Sequence, residues 1–360
     1  MSRPAAPGPA PAISVIMPAY NGADWIGATI DSVLAQDFTD WELVIVDDCS
    51  TDDTRALLAT FADPRITILH AEVNGGPVLA RNQAFAAARG RYIAGLDQDD
   101  LCKPGRFAAQ VAHLDANPGT VLVATAAELL EEGRLTSWPG DRPLTPATID
   151  WLLLTQNPLV WSTVMFRADA ARLLDPFERA QVRYAEDFDL YHRLGRFGQI
   201  ARLDEALLLY RCHPGGASKR YAEMMAASAA RVLAGRYTGV FEAGAVQTNA
   251  ELVVRYFMAR EPVPDLGTLS RLSRILATLH ADHVARTPLT PQERIEVDGE
   301  HARLWWLVAR PALRQGAVTL REAMGVLPES VSLPANDPDR LISPLIGRVR
   351  AIGRGLGVAL

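Results

Sequence analysis

The chain has 360 residues, long enough for one large domain or two smaller ones, and 49% of its residues are apolar, so a sizeable core can be buried. Its formal net charge of −6 argues against nucleic acid as a partner, because a phosphate backbone calls for a basic surface. The sequence has no run of about 18 to 20 apolar residues, so no transmembrane helix is predicted.

The first part of the chain alternates strand and helix patterns. Residues 1–12 are rich in proline and alanine, and we expect a disordered lead-in there. One apolar face recurs at helical spacing over 25–34, and a second helical pattern begins at Pro77 and ends near Arg89. Short apolar runs predict buried strands at 13–17, 43–46, 66–69, 92–96 and 121–124. These repeated units predict an α/β fold with a mostly parallel sheet flanked by helices.

The later part of the chain changes character. Strands are predicted at 160–166 and 206–210, and a helix at 188–196. Beyond about residue 221 only helical patterns remain, over 251–259, 266–280 and 303–309. We therefore predict an α/β domain over residues 13–235 and a helical C-terminal region over residues 236–360.

The cysteines indicate the compartment. Cys49, Cys102 and Cys212 are odd in number and scattered, so they do not make a disulfide framework. This pattern fits a reducing cytoplasm, and we expect a cytoplasmic protein.

Polar clusters follow the first four predicted strands. They are Pro18-Ala19-Tyr20-Asn21-Gly22, Asp47-Asp48, Asn74-Gly75-Gly76 and Asp97-Gln98-Asp99-Asp100. In an open parallel sheet, ligands bind at the carboxyl ends of the strands. Two carboxylates two positions apart, as in Asp97 and Asp99, can face one hard cation such as Mn²⁺ or Mg²⁺, which commonly bridges to substrate phosphates.

A set of motifs in this order resembles a known family. The chain carries PAYN, VIVDDCSTDDT, NGGPVLARNQA, GRYIAGLDQDD, YAEDFDLYHRL and YRCHPGGAS in succession. Over about residues 13–220 it is similar to the family-2 glycosyltransferases of the GT-A fold. The resemblance implies a nucleotide-sugar donor, a divalent metal ion (Mn²⁺ or Mg²⁺) and inversion at the anomeric carbon.

The resemblance also implies roles on the nucleotide side. Tyr20 would stack on or flank the nucleobase, with Pro18 and Asn21 shaping its loop. Asp48 would accept a hydrogen bond from the base, which favours a UDP- or dTDP-linked donor. Arg81, at the start of a helix, would hold the nucleotide or its phosphates.

The remaining implied roles concern the metal and the reaction. Asp97 would contact the ribose and the metal, Asp99 would ligate the metal, and His213 would lie near the diphosphate and metal. Asp187, in the acidic pair with Glu186, would be the general base that takes the proton of the acceptor hydroxyl.

Other functions remain to be weighed. A dinucleotide-dependent dehydrogenase needs G-x-G-x-x-G after the first strand, and that motif is absent. A sugar nucleotidyltransferase also uses paired aspartates, but the loop PAYNGAD has no lysine or arginine for a triphosphate. The other alternative is a catalytically inactive module that binds a nucleotide sugar. The presence of four polar residues with implied catalytic or metal-binding roles argues against such a module: Asp97, Asp99, Asp187 and His213.

The sequence does not identify the acceptor, which can be a saccharide, a lipid-linked molecule or a small molecule.

Residues 340–360 contain four arginines and no acidic residue, with an apolar stripe at helical spacing formed by Leu345, Val349, Ile352 and Leu356. A basic amphipathic helix of this kind predicts peripheral contact with the inner face of the cytoplasmic membrane. The alternative is that the segment packs on the α/β domain or frays, since its four glycines weaken a helix.

Overall fold

The computed structural model describes residues 9–213, 215–216 and 220–331. Within them the chain forms two compact units, of which the first comprises 9–146 and 159–225 and the second 147–158 and 226–331. The sequence did not indicate that 147–158 group with the C-terminal helices. The domain boundary at residues 235 and 236 therefore stays a prediction.

The first unit is built on one sheet of nine strands, in the order β3-β2-β1-β4-β8-β6-β9-β5, with β7 paired to β6. The strands are β1 (Ile13–Ala19), β2 (Trp41–Asp47), β3 (Ile66–His70), β4 (Tyr92–Gly95), β5 (Leu101–Cys102), β6 (Thr120–Glu131), β7 (Arg134–Ser137), β8 (Met165–Arg167) and β9 (Gln199–Cys212). Strands β1 and β2 are buried almost throughout, which agrees with apolar side chains on both faces.

The sheet is mixed. Strands β3, β2, β1 and β4 run parallel to one another, as do β6 and β9. Strand β8 lies antiparallel between β4 and β6 and so joins these two parallel groups. The α/β class is confirmed, and the carboxyl ends of the first four strands lie at one edge of their parallel group.

In its described part the first unit contains the helices α1 (Ile26–Leu34), α2 (Thr54–Leu58), α3 (Pro77–Ala87), α4 (Arg106–Ala116), α6 (Ala168–Ala171) and α7 (Glu186–Leu194). The helix predicted from Pro77 is confirmed as α3. It begins directly after Gly76, whose φ of 83° suits glycine and few other residues.

Over 160–166 the structure differs from the strand that the sequence predicts. Residues Trp161–Thr163 form a short 3₁₀ helix, and only Met165–Arg167 form a strand. The reason is local, because the Thr163 hydroxyl donates to the Val160 carbonyl at 2.7 Å and closes a turn. The predicted strand over 206–210 is confirmed within β9, and the predicted helix over 188–196 is confirmed as α7 with its start at Glu186.

The second unit is helical in the described range. It contains α5 (Pro146–Leu152), α8 (Ala222–Tyr237) from Ala226 onward, α9 (Ala243–Val253), a π-helical turn (Val254–Met258), α10 (Leu266–Arg286), α11 (Pro291–Gln315) and α12 (Leu320–Gly325). Helix α11 begins with a capping box between Thr290 and Glu293 and ends at Gly316, whose φ is 68°.

No helix among the described residues combines the length and the apolar character needed to cross a bilayer. The predicted lead-in lies largely in residues 1–8, outside the described residues, and the predicted membrane-contact segment 340–360 lies wholly outside them.

Candidate active site

The loop after β1 presents Tyr20 to solvent. The side chain of Tyr20 is 43% exposed, and Pro18 lies two positions earlier, inside β1. The Tyr20 backbone N–H donates to Oε1 of Gln98 at 2.9 Å, and its carbonyl accepts from Nε2 of Gln98 at 3.0 Å. A side chain at Gly22 would collide with this same amide. Gln98 therefore fixes the backbone that carries the Tyr20 ring.

Asn21 joins the loop after β1 to the loop after β2. Its N–H donates to the Ser50 hydroxyl at 3.0 Å, and its Oδ1 accepts from the Thr51 N–H at 2.8 Å. Its φ of 47° is a left-handed conformation that asparagine tolerates better than most residues. These contacts fix the conformation of the loop after β1.

Asp48 joins the loop after β2 to the loop after β3. Its carboxylate is 3% exposed, and its two oxygens accept from the N–H groups of Gly75 at 2.8 Å and Gly76 at 2.7 Å. The preceding Asp47 is fully buried and pairs with Arg55 and His70. Asp48 thus lies directly after the carboxyl end of β2, while the buried Asp47 supports the loop after β2.

The D-x-D motif follows β4 and is held by β9. The Arg211 side chain donates from Nε to the Asp99 carbonyl at 2.8 Å, and the Arg211 N–H donates to the buried Asp100 carboxylate at 2.9 Å. The Asp97 N–H donates to the Ser162 hydroxyl at 3.0 Å. Partners from two other elements thus fix the backbone and side chains of this motif.

His213 directs its ring at the same motif. Its Nε2 lies 2.8 Å from Oδ2 of Asp99, and its ring packs against Trp25 with centroids 5.3 Å apart. The Arg211 guanidinium also lies beside Trp25, 4.8 Å from the centroid of its ring. Trp25 is therefore a support of the site, although its spacing in the sequence indicated only a helix face.

The donor atoms of Asp97, Asp99 and His213 suit a divalent cation in kind. In the described part of the chain no group of three or more His, Cys, Asp or Glu side chains is arranged to hold a metal ion by itself. Mg²⁺ and chemically similar ions are usually bound through one or two carboxylates together with substrate phosphates, so a protein commonly supplies only part of the ligand set. Burial raises the pKa of Asp97 to about 6, Arg81 acts against this, and the charge of Asp99 adds to it.

Arg81 lies at the centre of an acidic cluster. Its Nη1 donates to Glu186 at 2.7 Å and lies 3.4 Å from Glu178, while its Nη2 donates to Asp97 at 3.3 Å. Its guanidinium lies 4.8 Å from the ring centroid of Trp161. The sequence placed Arg81 near the aspartates but did not indicate that it is buried and bonded to three carboxylates.

Glu178 was missed by sequence reasoning. It is 0% exposed, and its backbone is fixed because its N–H donates to Asn82 Oδ1 at 2.8 Å and its carbonyl accepts from Asn82 Nδ2 at 2.9 Å. Burial raises the pKa of Glu178 well above its usual range, while Arg81 acts to lower it. No spacing in the sequence signals a pair 97 residues apart.

Asp187 lies at the start of α7, beside this cluster. Its Oδ1 accepts from the N–H of Phe188 at 2.7 Å, and its charge acts on Arg81, Glu178 and Tyr191. Tyr191 follows one turn later, and its buried hydroxyl has no hydrogen-bond partner among the described residues. Burial and the charge of Asp187 raise the pKa of Tyr191 well above its usual range.

Several known proteins resemble this chain in sequence. The sequence profile of Glycosyl transferase family 2 matches residues 14–173. The chain is 31% identical over 209 residues to WcaA of Escherichia coli (strain K12), which carries a provisional assignment as a colanic acid biosynthesis glycosyl transferase, and the match covers 57% of this chain and 74% of WcaA. It is also 42% identical over 105 residues to WfgD of Escherichia coli, named as a UDP-Glc:α-D-GlcNAc-diphosphoundecaprenol β-1,3-glucosyltransferase. That second match covers 29% of this chain and 42% of WfgD.

Solved structures of TarS resemble this chain in fold. Residues 1–349 of TarS from S. aureus superpose with a TM-score of 0.54 at 19% identity, over 95% of this chain and 91% of that one. TarS has also been solved with UDP-GlcNAc. At this identity the likeness concerns the fold, and it confirms the GT-A type of architecture together with a helical C-terminal region.

Proposed function

Because the chain belongs to glycosyl transferase family 2, we propose that it transfers a sugar from a UDP- or dTDP-linked donor to an acceptor hydroxyl, with inversion at the anomeric carbon. One observation carries the proposal. The Arg81 guanidinium bonds both to Asp97 of the D-x-D motif and to Glu186 of the acidic pair that begins α7. Groups suited to a nucleotide diphosphate and groups suited to an acceptor hydroxyl thus meet at one side chain.

In this proposal Asp187 is the general base. It takes the proton of the acceptor hydroxyl while that oxygen forms a bond to the anomeric carbon. The bond from the anomeric carbon to the diphosphate oxygen breaks, and its electron pair leaves with the nucleoside diphosphate. Support comes from the position of Asp187 next to Glu186 and from its partial exposure, which leaves the carboxylate within reach of a substrate.

Asp97, Asp99 and His213 are proposed to hold Mn²⁺ or Mg²⁺ together with the donor diphosphate. A cation bound there would offset the negative charge that gathers on the leaving diphosphate. Support comes from the contact between Asp99 and His213 and from the position of Asp97 directly after β4.

On the nucleotide side, Tyr20 is proposed to stack on the base, in a loop shaped by Pro18 and Asn21. Asp48 is proposed to accept the imide N–H of a pyrimidine. A carboxylate has about four acceptor sites, so the two bonds from Gly75 and Gly76 leave room for one more. Arg81 is proposed to act on the nucleotide through Asp97, since its guanidinium is bonded to carboxylates.

For the acceptor, we propose a lipid-linked saccharide and action at the cytoplasmic face of a membrane. The support is the name of WfgD, which describes transfer to a diphosphoundecaprenol-linked sugar. A free saccharide and a small molecule are the other outcomes of an acceptor screen.

The test begins with the donor. Wild-type protein with Mn²⁺ should slowly release nucleoside diphosphate from a UDP- or dTDP-sugar, and excess EDTA should stop it. The variant Asp187→Asn should bind nucleoside diphosphate within a few-fold of wild type while its single-turnover rate falls by roughly 10²–10⁴, the range for a positioned general base.

Asp169→Asn is a matched control. Asp169 is exposed, lies in the first turn of α6 and accepts from the next N–H at 2.7 Å, as Asp187 does in α7. It should leave the rate unchanged. If Asp187→Asn abolished donor binding but kept the single-turnover rate, Asp187 would be a binding residue and the proposed mechanism would be wrong.

A further inference from the structure

Arg183 lies between the loop after β3, which binds the Asp48 carboxylate, and the acidic pair that begins α7. Its guanidinium is so close to Gly76 that a Cβ at that position would collide with it. The N–H groups of Gly75 and Gly76 are the ones that bind the Asp48 carboxylate. Three residues after Arg183 comes Glu186, which accepts from Arg81. Arg183 therefore reaches from the start of α7 to the loop after β3.

In the described part of the chain, the guanidinium of Arg183 has no anionic partner. Among the described residues it forms no ion pair and no hydrogen bond, and its Nε is buried without an acceptor. Nearby arginines differ, because Arg179 pairs with the Asp189 carboxylate and Arg193 bonds to that carboxylate and to two backbone carbonyls. The Arg211 side chain bonds to the backbone carbonyl of Asp99. A guanidinium keeps its charge at every physiological pH, so a partly buried one without an acceptor is costly unless a ligand supplies it.

The residue after Arg183, Tyr184, packs beside it. Tyr184 has a φ of 67°, which is uncommon for a residue with a bulky side chain, and its ring stacks on that of Tyr221 with centroids 4.3 Å apart. The Arg183 guanidinium lies 5.4 Å from the Tyr184 ring centroid. The Arg183 guanidinium thus lies close to both the Tyr184 ring and Gly76.

We propose that Arg183 is a donor-binding residue whose guanidinium contacts the diphosphate of the nucleotide sugar. The inference rests on the proposed function. When the bond between the anomeric carbon and the diphosphate oxygen breaks, the electron pair stays on that oxygen, and Arg183 stabilises the added charge. A planar guanidinium can give two parallel hydrogen bonds to a phosphate, which lysine cannot.

We assign Arg183 to the donor rather than to an acidic acceptor because of the loop that Arg183 contacts. Gly76 belongs to the loop that holds Asp48, and Asp48 is the residue proposed to read the base. The diphosphate is covalently attached to that nucleoside, so it is the phosphate group that lies within reach of Arg183. An acceptor phosphate would be expected nearer to Asp187.

The test compares UDP with uridine, or dTDP with thymidine if the wild type prefers that base, by calorimetry with Mn²⁺. Arg183→Gln should weaken the diphosphate by about 10- to 100-fold, as expected for losing charged hydrogen bonds, and the nucleoside by less than about twofold. Arg183→Lys should fall between wild type and Arg183→Gln. Arg196→Gln removes the same charge from an exposed position beyond α7 and should match wild type.

Three results decide the inference. If Arg183→Gln weakened the binding of nucleoside and diphosphate equally, Arg183 would be a support of the loop that holds Asp48. If it raised the KM for the acceptor and left the diphosphate affinity unchanged, Arg183 would belong to the acceptor site. Either result overturns the proposal. If Arg183→Gln does not fold, Arg183→Lys alone decides, because wild-type affinity for UDP in that variant contradicts a forked contact. Failure of wild type to bind either diphosphate would instead remove the proposed function itself.

Discussion

Arg81 is surrounded by more negative charge than one guanidinium can neutralise. Glu178 and Glu186 are almost fully buried, and Asp97 is the third carboxylate in contact with it. Burial alone would lower the pKa of Arg81, but the charges of Glu178, Asp97, Glu186 and Asp187 raise it well above the usual value. At the scale of single residues, the cluster depends on this one cation.

Arg81→Gln should therefore lower the free energy of unfolding by about 3–5 kcal/mol, the cost of leaving buried charges unpaired. Adding Glu178→Gln should restore part of that stability but not the activity, because Asp97 and Glu186 still lack their common partner. Urea unfolding and turnover of the single and double variants measure the coupling.

The surface pair of Arg91 and Asp115 provides the control. Their side chains are 58% and 45% exposed, so Arg91→Gln should cost no more than about 1 kcal/mol. If Arg81→Gln were as mild as Arg91→Gln, the cluster would not depend on Arg81 for stability.

At the scale of elements, the second unit buries three histidines around one tryptophan. His280 and His283 on α10 and His301 on α11 each lie within 5.7 Å of the Trp151 ring on α5, measured between centroids. The charged groups facing them are Asp298, which binds His280 and Arg294, together with Asp150 and Asp282 near His283. Burial lowers the pKa of all three and brings that of His301 to about 3.

The sign of the pH dependence follows. A histidine whose pKa is lower in the folded state than in the unfolded state takes up protons on unfolding, so stability falls as the pH drops below about 6.5. Each histidine that stays neutral in the fold should cost about 1.4 kcal/mol between pH 7.5 and pH 5.5. His301→Gln should remove one such step, as measured by hydrogen exchange in α10 and α11 at the two pH values. An unchanged loss of protection in this variant would show that His301 does not cause the acid sensitivity.

At the scale of the whole molecule, local patterns were predictable and distant pairings were not. The start of α3 at Pro77 and the position of the D-x-D motif after an apolar strand depend on neighbouring residues, so the sequence predicts them. The bond from Asp97 to Ser162 spans 65 residues, and the pair of Arg81 with Glu178 spans 97. Such contacts are set by the order of strands, and the antiparallel insertion of β8 has no signal in the spacing of apolar residues.

The charge of the molecule is also unevenly distributed along the sequence. The net charge is −6, yet residues 340–360 contain four arginines and no acidic side chain. The predicted contact of this segment with a membrane stays a prediction. We expect full-length protein to sediment with anionic vesicles but not with neutral ones, and a version ending at Pro338 to lose most of this binding. Equal and negligible sedimentation of both proteins would remove the membrane prediction.

The contact between Gly22 and Gln98 has an evolutionary consequence. Gln98 occupies the space that a side chain at position 22 would need, and the same amide holds the Tyr20 backbone. A side chain at position 22 therefore requires the Gln98 amide to move or to be replaced, and either change breaks its two bonds to the Tyr20 backbone. Among relatives, those with a side chain at position 22 should carry a shorter residue at position 98, and an alignment in which the two positions vary independently would contradict this.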